Sequence, residues 1–193
     1  MEKKVTWVPA LVLYCAVSGL DVVIGLRGLV GDVETADAWL ILGVWLLINT
    51  IVFVSLLLFQ CWKALPEAHR KTTPGMAVGF LFIPLFNFYW AFVSFLALAK
   101  GYYSYGKQVN DPEIKDMSGL GSAYAVLFSV VRYGNVVIGF AVGSLTPALT
   151  ALMIVESIAD VVVFVLFFKA MSTYANRALS RGASAPPPAP SSA

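Results

Sequence analysis

Four ionisable residues sit where the surrounding sequence is almost wholly apolar: Asp21, Arg132, Glu156 and Asp160. Two amides, Asn49 and Asn135, share that setting. A carboxyl taken out of water has its pKa raised and can exchange protons or hold a cation. Glu156 and Asp160 are four residues apart, which places them on one helix face. Arg132 can neutralise only one of the three carboxylates. Two kinds of work fit such a set: a site for an ion, proton or small polar solute, or a set of interhelical hydrogen bonds and one ion pair.

The elements that must position these groups are helices. Of 193 residues, 59% are hydrophobic and 12% charged, with a mean hydropathy of +0.81. Soluble domains carry about 25% charged residues. This excludes an ordinary cytosolic enzyme, a disordered chain and a nucleic-acid binder with a basic face. Apolar stretches near the ~20 residues a membrane span needs occupy about 7–30, 38–62, 76–99, 119–144 and 148–168. Trp39 and Trp62 sit at opposite ends of the second, as interface anchors would. Counted from one end of each stretch, the six polar residues lie about 8–12 positions down, roughly 12–18 Å.

Charge placement decides the topology. With five full spans the Lys and Arg residues divide nearly evenly between the two sides. If the third stretch turns back, eleven share the cytoplasmic face and only Arg27 stays outside. Pro84 breaks the helical ladder in that stretch, with Asn87 three residues on. The expected fold is therefore all-α and integral to the membrane. It has four transmembrane helices plus a Pro-broken re-entrant or interfacial hairpin over 76–99, five full spans being the alternative. Residues 1–182 form one membrane domain, and the Pro/Ala/Ser-rich 183–193 form a disordered tail. Both termini are cytoplasmic, in a multi-pass protein of the cell (inner) membrane.

The same segment carries a resemblance. Pro74-Gly75, Ala77-Val78-Gly79-Phe80, Phe82-Ile83-Pro84, Phe86-Asn87 and Tyr89-Trp90 follow a PG-x-AVGF-x-FIP-x-FN-x-YW pattern. In this the chain resembles a group of bacterial multi-span membrane proteins with no assigned activity. The match covers about a tenth of the chain, and it implies a location rather than a chemistry.

Little else points to a reaction. His69 is the single histidine, in a basic loop with Arg70 and Lys71, and reads as solvated or lipid-facing. Cys15 and Cys61 read as apolar fillers, Cys61 being a palmitoylation candidate at the interface. Tyr102, Tyr103 and Tyr105 read as interface anchors. No metal-ligand spacing, phosphate-binding loop or nucleophile motif occurs. The contexts of Asp21 and Asp160 depart from those of aspartyl intramembrane proteases. The reading is of a non-enzymatic accessory or scaffold subunit of a membrane assembly, without metal or cofactor. Its partners are the bilayer, anionic lipids at the cytoplasmic face, and other membrane proteins or further copies, but no nucleic acid. The alternative is a proton- or ion-coupled channel or transporter using the polar layer.

Overall fold

The computed structural model describes residues 4–6, 8, 9, 12, 14, 16, 50–83, 86–129 and 147–184. Among them the chain is mostly helical, with five α-helices: α1 Ser55–Ala64, α2 Pro74–Gly79, α3 Phe86–Gln108, α4 Ser118–Ser129 and α5 Pro147–Ser184. A π-helical turn, Thr50–Val54, leads into α1, and a 3-10 turn, Phe80–Phe82, extends α2.

No helix among the described residues is long and apolar enough to cross a membrane. This overturns the expected integral-membrane architecture, with four spans or with five, and the multi-pass location with it. Helix α1 has 10 residues and α4 has 12. Helix α5 has 38 but carries Glu156, Asp160 and Lys169 in its apolar part, leaving eight apolar residues between the last two. Helix α3 has 23, diluted by Asn87, Ser94, Lys100 and Lys107. Trp62, expected at an interface, is fully buried. So are Tyr102 and, nearly, Tyr105, while Tyr103 is half-buried.

The break near Pro84 is an internal fold of the protein. Thr73 accepts the Met76 N–H at 3.2 Å and Pro74 opens α2, a helix start in which the missing proline N–H costs nothing. The backbone turns extended at Ile83 (φ −85°, ψ 112°), as expected for the residue before proline. Carbonyls of α2 and of the 3-10 turn after it accept from side-chain donors on α3. Trp90 Nε1 donates to Met76 O and Ala77 O, at 3.1 and 3.2 Å. Ser94 Oγ donates to Ala77 O at 3.0 Å, and buried Asn87 Nδ2 to Leu81 O at 3.2 Å. Thus α2 folds back onto α3, which runs on to Gln108, beyond the boundary at 99 that the apolar stretch suggests.

Helix α3 ends in a left-handed cap. Asn110 has φ 50°, its N–H reaching Lys107 O and the Asp111 N–H reaching Gly106 O, a Schellman arrangement in which asparagine replaces the usual glycine. The turn sends α4 back antiparallel to α3. Helix α5 lies parallel to α3, since Phe95 meets Phe167 and Phe168 while Tyr102 meets Tyr174. The core between them is aromatic. Phe95 contacts Tyr124 (4.8 Å, 76°), Phe128 (5.4 Å) and Phe167 (5.9 Å), and Tyr124 stacks on Phe167 at 16°. Most of these are edge-to-face pairs, the arrangement ring quadrupoles favour.

Candidate functional site

Of the polar residues expected to form one layer, Asp21, Asn49, Arg132 and Asn135 lie outside the described residues, as do Pro84 and Cys15. Glu156 and Asp160 are described. A common depth for them requires membrane-spanning helices, and no helix among the described residues is long and apolar enough to be one.

What remains is a carboxylate pair on α5 with unequal surroundings. Asp160 is buried on the face that also carries Phe164, Phe167, Phe168 and Met171. The Tyr14 hydroxyl donates to Asp160 Oδ2, and the Tyr14 ring lies parallel to Phe164, 3.9 Å between centroids. Nine residues earlier, the Val5 N–H donates to Asn176 Oδ1 at 2.8 Å and Asn176 Nδ2 returns a bond to Val5 O at 3.0 Å. Asp160 and Asn176 therefore fix the N-terminal segment antiparallel along α5. Glu156, one turn from Asp160, is half-buried, and burial pushes its carboxyl above the usual range.

A second polar cluster was not anticipated. Asp111 is buried, and its carboxylate faces Arg177 Nη1 at 3.3 Å and Arg181 Nη2 at 2.9 Å. Glu113 adds a 3.4 Å contact to Arg177. Burial alone would raise the Asp111 pKa. The Glu113 N–H bond and the two guanidinium charges outweigh it and hold the carboxyl below its ordinary 3.8. One signal was present in the sequence: Arg177 and Arg181 share a helix face four residues apart, matching an acid-bearing segment, 111–116. Because the folded state favours ionised Asp111, its contribution is complete above the ordinary carboxylate range and is lost as pH falls through the lowered value. Thermal melts of Asp111→Asn should therefore show a Tm deficit that is constant from about pH 7 to 5 and shrinks below pH 3.8. A deficit independent of pH would refute the ionic account.

The remaining candidates have structural partners. His69 is half-buried, its Nδ1 3.1 Å from Ser104 Oγ and its Nε2 2.5 Å from Gln108 Oε1. It therefore packs the loop after α1 onto α3, rather than pointing into solvent or lipid. Arg70 donates to Lys63 O at 2.7 Å and Leu65 O at 2.6 Å, satisfying carbonyls at the end of α1. Cys61 is fully buried and its thiol is pushed up to about 12 by burial, which makes it an inert filler and no acylation target. No group of three or more His, Cys, Asp or Glu suited to a metal occurs among the described residues.

One feature has no such partner among the described residues. Leu152, Val155, Ile158, Val162 and Leu166 recur at helical spacing along α5, opposite the aromatic core, each 49–63% exposed. No family model, no curated protein and no solved structure matches this chain.

Proposed function

We propose that the protein is a non-enzymatic accessory or scaffold subunit, which holds a second polypeptide against the apolar face of α5. The exposed stripe from Leu152 to Leu166 carries this reading. Five large apolar side chains in line over about four turns, roughly 21 Å, leave more contiguous apolar surface than a self-sufficient monomer tends to keep. The opposite face of the same helix is locked by the aromatic core, by Tyr14 and by Asn176, so the stripe is presented on a rigid support. A rigid helix face with anchors at this spacing suits docking of another helix.

The double substitution Val155→Asp with Val162→Asp tests it. Light scattering of the purified full chain should give particles heavier than the 20.8 kDa monomer, as self-association or a co-purified subunit. The double variant should run as a monomer with an unchanged helical circular-dichroism signal. A wild-type chain that is monomeric and carries no second polypeptide refutes the proposal.

A further inference from the structure

The described charges are strongly segregated. Ten basic side chains lie toward the end of the molecule formed by the end of α1, the loop after it, the second half of α3, the 109–117 turn, the second half of α5 and the N-terminal segment. Contacts bind these pieces together. Arg70 ties its loop to Lys63 and His69 ties it to Ser104 and Gln108; the Tyr174 hydroxyl accepts the Lys115 N–H at 3.1 Å, and Asn176 holds Val5. Among the described residues four acids share this end, and all are already engaged. Glu67 faces Arg70, Asp111 faces two arginines, Glu113 faces Arg177, and Asp116 accepts the Ser118 N–H at 2.8 Å. Every described ion pair uses an arginine. The seven described lysines, Lys4, Lys63, Lys71, Lys100, Lys107, Lys115 and Lys169, are all exposed.

Apolar surface adjoins this end. Exposed Phe59 on α1 is followed one turn later by Lys63. Lys107 Nζ sits 4.5 Å from the Tyr103 ring centroid. Lysines whose charged ends overhang an apolar edge are suited to a surface that is anionic outside and hydrocarbon beneath. A polyanion in water would leave the apolar edge unused, and a nucleic acid would call for bidentate arginines and stacking rings, whereas the arginines here are occupied.

We propose that this lysine-bearing end docks on an anionic lipid surface, the lysines meeting headgroup phosphates and the apolar turn beside Lys63 resting just beneath them. The test is co-sedimentation of the purified full chain with vesicles of phosphatidylcholine alone or mixed with phosphatidylglycerol. Binding should require the anionic lipid and fall away by about 0.5 M salt. A nearby lysine contributes about 1 kcal/mol, or about fivefold, to partitioning. The combined change of Lys63, Lys71, Lys100 and Lys107 to Gln should therefore lower binding by more than about a hundredfold. These side chains make no ion pair among the described residues, so the circular-dichroism signal should be retained. Val155→Asp with Val162→Asp should bind the vesicles like wild type, which separates this surface from the α5 stripe. Equal binding to both vesicles, or an unaltered lysine variant, overturns the proposal. Tighter retention on polyglutamate or duplex DNA than on the anionic vesicles overturns it in favour of that polyanion.

Discussion

Phe95→Ala is expected to lower the stability of the fold by about 3–5 kcal/mol, the cost of deleting a large aromatic side chain from a packed core. Phe95 is fully buried and its ring contacts Tyr124, Phe128, Phe167 and Phe168, so it joins α3 to both α4 and α5. Those rings come from two other helices, which limits how far the site can collapse around the gap. In a chain of this size the change corresponds to a fall in Tm of roughly 6–20 °C. Phe92→Ala on the same helix is the control, because Phe92 is 38% exposed and should cost far less. Equal losses at the two positions would show that α3 does not hold the core in this way.

Gly106→Ala is expected to be the most damaging of the small substitutions. A Cβ there would lie 2.7 Å from Ile114 Cβ and 2.8 Å from Ile114 Cγ2. Ile114 cannot yield by turning its side chain, since its Cβ is fixed to the backbone. The 109–117 turn must move instead. That turn hangs on the Gly106 carbonyl through the Asp111 N–H, and it carries Asp111 to Arg177 and Arg181. Overpacking of this kind costs about 1–3 kcal/mol. Gly119→Ala gives the opposite case: nothing lies within 4 Å of its added Cβ, and α4 should gain about 0.5–1 kcal/mol from the better helix former. Urea unfolding of both variants should show opposite signs, and equal effects would exclude the tight contact.

These two expected effects depend on features that are unequally legible in the sequence. The helical content, the break near Pro84 and the continuation of the last helix past Lys169 follow from local chemistry: long apolar runs, a proline without an N–H, and no helix breaker from Lys169 to Arg181. The membrane reading rests on composition, on apolar stretches near span length and on charge placement, and none of these records where apolar side chains go. Trp62, Tyr102 and Phe95 turn inward and are fully buried, while Leu152, Val155, Ile158, Val162 and Leu166 turn out. The Asp111 cluster was hidden for a related reason. Its members are more than sixty residues apart, so the sequence shows only two arginines at helical spacing and an acid-rich turn.

By itself the sequence determined that this chain builds helices, where one of them must break, and that its charges are few. Those properties come from backbone sterics and residue chemistry, which act over a few positions. Only the tertiary structure decided which charges are spent and which stay available. Pairing depends on distances between helices, and there Asp111 took two arginines while the lysines were left exposed at the same end.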